Sequence, residues 1–245
     1  MTRLWAARLW ATLREWGQPV LFALVVTQFG ASAVQVDGAS MLPALRHGEW
    51  LAVEKAGGWV HRLGVGGYAR GDIVVFKPPR GAEAAWSQMY RGMPLPWRYR
   101  PFLVKRVIGL PGDRVSLRGG VVRVNGRVLP EVARTFWAAY CLDTLGPQAN
   151  GVAPWPAAAP QPEVTVPPGH YYLLGDNRSP GGSLDSRLFG PVPVGDIAGR
   201  ALARVWPLQR PAQATPPCDG EPHPEDRVRL SGAAEFSPRW LLGGP

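Results

Sequence analysis

Apolar and polar positions divide this chain into one long apolar run followed by a series of short ones. From Trp16 to Val36 there is no charged residue. A helix rises about 1.5 Å per residue, so a run of this length can cross a hydrocarbon core of roughly 30 Å. Residues 1–15 are mostly good helix formers, with Arg3, Arg8 and Arg14 among them. Arginines before the run and none just after it place residues 1–15 in the cytoplasm, residues 16–36 across a membrane and the remainder outside. Two other readings stay open. Ala31-Ser32-Ala33 has the A-x-A form of a signal-peptide cleavage site, and a buried core helix fits the same run.

Beyond Val36 the apolar runs shorten. Trp50–Val53, Asp72–Phe76, Phe102–Val107, Val115–Leu117, Val121–Val124 and Tyr171–Leu174 are bounded by Gly, Pro and polar residues, which predicts strands. Asn125-Gly126 between two such runs predicts a tight hairpin. Asp196–Trp206 reads as a closing strand with a bulge. Residues 56–69 read as a Gly-rich loop and 130–163 as a Pro- and Ala-rich one. Residues 80–100 form an irregular aromatic stretch. It either packs a small cluster of its own or dips into a lipid interface. From Arg210 onwards Pro, Gly and charge dominate, so 211–245 reads as a flexible tail.

Composition narrows the class. With 30 Gly and 27 Pro in 245 residues, a helix bundle is excluded in favour of a mainly β domain with irregular loops. The formal charge of +9 favours an anionic surface. The chain has no zinc-ligand spacing, no helix of clustered Lys/Arg and no RNP-like run. The surface is therefore a phospholipid bilayer and not a nucleic acid, and 11 Trp agree. Cys141 and Cys218 both follow the apolar run; a disulfide between them and two free thiols are both open. There is no Cys-x-x-Cys, so neither a redox nor a metal site is expected, and no cofactor.

The chemistry centres on Ser40, where the long run ends. A serine nucleophile needs a base. His47, His61, His170 and His223 lie in no recognisable frame, and Gly38-Ala39-Ser40-Met41-Leu42 lacks the second glycine of a nucleophile elbow. A neutral, buried lysine can serve instead. Of Lys55, Lys77 and Lys105, only Lys105 lies inside an apolar strand, sharing a face with Leu103 and Val107. Its bland reading is an edge-strand lysine that snorkels to water.

Four segments together form a specific resemblance. Ser40-Met41-x-Pro43-x-Leu45, Arg70-Gly71-Asp72-Ile73-Val74-Val75-Phe76, Lys105-Arg106-Val107-Ile108-Gly109-Leu110-Pro111-Gly112-Asp113 and Gly175-Asp176-Asn177-Arg178 with Ser183-x-Asp185-Ser186-Arg187 occur in this order. They resemble the boxes of bacterial type I signal peptidases, membrane-bound serine peptidases with a Ser-Lys dyad. The resemblance implies an antiparallel-sheet catalytic domain over 37–210, outside the bacterial cytoplasmic membrane, with an inserted lobe at 116–163. It implies Ser40 as nucleophile and Lys105 as general base. It further implies Ser183 bonded to Lys105, and Asp176, Arg178, Asp185 and Arg187 as supporting ion pairs. The Ser40 N–H would bind the oxyanion, and Met41 would help bury the lysine. The implied partners are exported preproteins with signal peptides, cleaved by a monomer.

This chain departs from the pattern at three places. Many relatives carry a serine where Gly38 stands, often a tyrosine where Leu103 stands, and fewer residues than Ser179-Pro180-Gly181-Gly182 before the serine matched by Ser183. Ser179 therefore competes with Ser183. Two rival functions remain: a Ser-Lys peptidase with a dedicated pilus or conjugation precursor, and a noncatalytic anchored β-domain.

Overall fold

The computed structural model describes residues 2–42, 44–90, 92–118, 121–129, 161–178, 182–210, 235–236 and 239–241. The helix α1 (Thr2–Val25) continues through a π-helical turn, Val26–Gly30, and ends there. Ala31–Gln35 is a strand, β1, antiparallel to β2 (Trp50–Glu54). The apolar run thus changes element before it finishes. Val36 is buried in the core under this sheet and Val34 packs against it, so these side chains serve the sheet rather than a span. Ala31-Ser32-Ala33 is strand, neither anchor nor helix. The uncharged helical part, residues 16–30, covers about 22 Å, short of a hydrocarbon core of roughly 30 Å. Among the described residues no helix is long and apolar enough to cross a membrane.

Every strand pairing among the described residues is antiparallel. The strands that follow are β3 (Ile73–Phe76), β4 (Ser87–Tyr90), β5 (Met93–Tyr99), β6 (Leu103–Gly109), β7 (Arg114–Arg118), β8 (Val121–Val124), β9 (Arg127–Val128), β10 (Gln161–Thr165), β11 (His170–Leu174), β12 (Val192–Pro193) and β13 (Ile197–Trp206). The main sheet runs β1-β2-β13-β3-β6-β11-β12. Its central strand β3 is buried on both faces, which explains its unbroken run of apolar residues. Ile73 and Val75 join one core cluster with Met41, Leu45 and Leu51; Val74 and Phe76 join another with Val107, Leu173 and Ile197. Strand β11 alternates likewise, with Tyr172 and Leu174 turned to a third cluster under β7 and β8.

A second, four-stranded sheet runs β10-β7-β8-β9. Asn125 and Gly126 both have positive φ, 53° and 78°, as the tight hairpin turn requires. Strand β13 is bulged where it meets β2 and β3, as expected. Residues 130–160, and with them Cys141, lie outside the described residues, as do Cys218 and His223.

Three local expectations are corrected. Ala56–Arg62 is a helix, α2, despite Gly57 and Gly58. Glu54 accepts from the Gly57 N–H, and a Cβ on Gly58 would meet the Tyr68 hydroxyl at 2.9 Å, so the glycine allows close packing. Ser87–Tyr90 and Met93–Tyr99 pair as antiparallel strands, β4 and β5, with one irregularity between Ser87 and Met89, rather than forming an unstructured stretch. The described part of the tail returns to the body of the protein. Two short strands, β14 (Gln209–Arg210) and β15 (Glu235–Phe236), pair with each other. A last one, β16 (Arg239–Trp240), pairs with β13, and Leu241 packs against the core.

One buried ion pair crosses the sheet: Arg204 Nη1 lies 3.2 Å from Glu49 Oε1, both side chains almost fully buried. Removing one partner strands the other charge in the core, a loss of about 3–5 kcal/mol. Glu49→Ala should therefore lower the urea midpoint sharply, whereas an exposed control such as Glu163→Ala should not move it.

Candidate active site

The Ser40 segment is a compact turn. Leu42 N–H donates to the Ala39 carbonyl at 3.1 Å and Leu45 N–H to the Met41 carbonyl at 2.9 Å. Met41, Leu42 and Leu45 are buried beneath it. This core packing, together with Val104 from the lysine strand, is the contribution of Met41. Gly38 has φ of +86°, a left-handed conformation, and donates its N–H to His47 Nδ1 at 3.1 Å. A side chain there would strain the backbone by about 1–2 kcal/mol, which accounts for glycine at this position.

Lys105 sits opposite Val74 in the β3–β6 ladder and is only 2% exposed. Its Nζ lies 2.7 Å from Ser40 Oγ and 2.8 Å from the Val104 carbonyl. Burial lowers its pKa from the usual lysine value to about 8, against the pull of the Asp185 and Asp176 carboxylates and with the help of the Arg187 charge. When neutral, the amine lone pair can accept the Ser40 proton across the same contact. The snorkelling alternative is gone, since the amine does not reach water.

The loop after β11 closes over this pair. A Cβ on Gly175 would meet the Ser40 carbonyl at 2.5 Å and Ser183 Cβ at 2.6 Å, so only glycine lets the two serine segments meet there. Asn177 N–H donates to the Ser40 carbonyl at 3.1 Å, and its side-chain amide donates to Ala39 at 3.3 Å. Asn177 was missed as a functional residue; its place between Asp176 and Arg178 was the available signal. Ser183 is buried here, but the expected bond to Lys105 is absent. Its Oγ makes no hydrogen bond of ordinary geometry, although it adds to the forces that hold Asp185 low. Ser179 lies outside the described residues.

The four charged residues divide differently from expectation. Asp185 and Arg187 form a buried bidentate pair, 2.9 Å at both contacts, and Asp185 also accepts from Gly175 N–H. Asp185 caps the N-terminus of α3 (Ser186–Phe189) through Arg187 N–H. Burial alone would raise the Asp185 pKa; the Arg187 charge and these hydrogen bonds outweigh it and hold the carboxyl below its ordinary value. Asp176 pairs with Arg106, at 2.7 and 2.6 Å. Arg106 follows the lysine directly in β6. Arg178 Nε donates to the Gly175 carbonyl at 2.6 Å, and its own carbonyl accepts from Arg187. Among the described residues no cluster of His, Cys, Asp and Glu could hold a metal ion.

The sequence model of the family described as signal peptidase, peptidase S26, matches residues 9–206. This chain belongs to the peptidase S26 family. It is 33% identical to a signal peptidase I of Leptolyngbya laminosa over 82% of this chain and 81% of that one. It is also 33% identical to a probable signal peptidase I-2 of a Synechocystis strain, over 89% of this chain and 81% of that one. A solved signal peptidase I from Enterococcus faecalis is 27% identical and covers 56% of this chain and 97% of its own, with a TM-score of 0.36.

For a member of this family the two ion pairs have a clear electrostatic effect. Each neutralises a carboxylate that would otherwise hold Lys105 as the ammonium. Arg187→Met removes a positive charge and releases the field of Asp185, so the Lys105 pKa must rise. The rising limb of a pH–rate profile should move to higher pH than in the parent, while Arg187→Lys, which keeps the charge, should move it less.

Proposed function

We propose that this peptidase removes N-terminal signal peptides from exported preproteins, with Ser40 as nucleophile and Lys105 as general base. The observation that carries this reading is the buried Lys105 amine, 2.7 Å from Ser40 Oγ with its pKa near 8. Neutral Lys105 takes the Ser40 proton as Oγ attacks the scissile carbonyl. The Ser40 N–H stabilises the oxyanion. Lys105 then returns the proton to the leaving amine, and an ester joins the signal peptide to Ser40. Water, deprotonated by the same lysine, hydrolyses that ester. Asn177 and Gly175 hold the nucleophile segment. Asp176, Arg178, Asp185 and Arg187 hold the loop and set the charge around the lysine, and Ser183 acts on Lys105 indirectly, through Asp185.

The same reading places the N-terminal helix in the bacterial cytoplasmic membrane, N-terminus inside and catalytic domain outside. Val20, Leu21, Phe22, Leu24 and Val25 stand exposed along it, a surface that lipid would cover. The stretch is short for a crossing, so the bilayer must thin locally. A site tethered at the membrane meets a substrate whose own apolar segment is embedded there.

Purified protein in detergent, given a preprotein, should cut it after a small residue, as mass analysis of the products would show. Ser40→Ala and Lys105→Ala should each abolish cleavage while the far-ultraviolet circular dichroism stays unchanged; Ser183→Ala should cost less. Full activity in Lys105→Ala would refute the dyad. Cleavage without small-residue preference would point to a dedicated substrate. Activity should rise with pH through about 8, because deprotonation of Lys105 creates the base.

A further inference from the structure

Two anchored stretches meet in the turn before Ser40. On one side Val36 is tied to the turn that leads into β2. Its N–H donates to the Glu49 carbonyl at 2.8 Å, and its carbonyl accepts from Gly48 N–H at 2.8 Å. On the other side Asn177 donates to the Ser40 and Ala39 carbonyls. Asp37 and Gly38 join the two, and both are exposed. A Cβ on Gly38 would meet nothing within 4 Å, so packing does not fix this residue. Glycine also has the widest backbone freedom. Its restraint among the described residues is a hydrogen bond, from Gly38 N–H to His47 Nδ1 at 3.1 Å.

That bond sets the state of the imidazole. To accept from an amide, Nδ1 must carry its lone pair, so the ring is neutral with its hydrogen on Nε2. The same Nδ1 lies 3.3 Å from Asp37 Oδ1. Protonation turns Nδ1 into a donor. The ring then loses Gly38 and gains a carboxylate of opposite charge. Arg46 and Glu49 are the other charged residues of this turn. Glu49 is turned inward, accepting from Arg46 N–H at 2.9 Å and pairing with Arg204 at 3.2 Å. Asp37 is thus the acid beside the ring. One imidazole has two partners, and its charge selects between them. Only Ala39 separates Gly38 from Ser40, so the direction of the Ser40 N–H follows the Gly38 backbone.

We propose that His47 is a positioning residue of the active site. Neutral, it holds Gly38 and with it the Ser40 N–H that meets the oxyanion; protonated, it turns to Asp37 and releases the segment. This rests on the role of Ser40 proposed above. It adds a second requirement in acid, where the site needs a neutral histidine as well as a neutral lysine.

The test compares the full chain in detergent with its His47→Ala and His47→Asn variants, and reads kcat and KM for a preprotein across pH. Asparagine offers an amide oxygen near the place of Nδ1 and takes up no proton. At alkaline pH His47→Ala should lower kcat by up to about tenfold with KM unchanged, and His47→Asn should recover most of that loss. Below the Lys105 midpoint a single base gives log kcat a slope of about one against pH, and two bases give about two. The parent should steepen from the first slope to the second between about pH 8 and 5, while His47→Asn keeps the first. Full kcat in His47→Ala would overturn the positioning role. Parallel profiles in the parent and His47→Asn would overturn the release by protonation. A further readout needs no catalysis. In protein made with isotope-labelled histidine, the His47 nitrogen resonances are those lost in His47→Asn. At alkaline pH they should report a bare Nδ1 and a protonated Nε2, and the opposite tautomer would overturn the bond to Gly38. A parent that cuts no preprotein would overturn the peptidase reading and the positioning role together, whereas an active parent with an equally active His47→Ala overturns only the latter.

Discussion

The chemistry proposed for this protein depends on keeping one amine out of water. Lys105 lies in a central strand between neighbours that are buried on both faces, and burial disfavours its ammonium. Two carboxylates, Asp185 and Asp176, lie close enough to reverse that effect. Each is engaged by an arginine, Arg187 and Arg106 respectively. Desolvation is the largest effect, and the Arg187 charge works with it.

The loop after β11 serves that balance as well as the geometry. It carries Asp176, Asn177, Asp185 and Arg187 in a short stretch, and Gly175 lets it lie against the Ser40 carbonyl. One loop thus holds the Ser40 segment and, in the proposed mechanism, tunes the base. Gly38 is held by its left-handed backbone conformation and by His47 on the other side of the turn.

Much of the β architecture was legible. Ile73–Phe76 and Tyr171–Leu174 lie in the sheet as their apolar runs implied, and the Asn125-Gly126 hairpin formed where expected. Short runs misled where one pattern fits two elements. Ala31–Val36 is equally apolar as helix or strand, and pairing with β2 decides it. Ala56–Arg62 is a helix in spite of its glycines, and Gly58 lets Tyr68, from beyond the helix, come close.

The sequence by itself determined the reactive types and their order. A serine ends the apolar run, a lysine lies in a strand, and four boxes in order identify the family. Only the tertiary structure decided which groups meet. It paired Asp176 with Arg106, placed Asn177 against the Ser40 segment, and left Ser183 without a bond to Lys105. It also joined Glu49 to Arg204 across 155 positions of sequence. The physical reason is range. Periodicity records which face of a local element is apolar, whereas burial and charge pairing depend on segments that only the folded chain brings together.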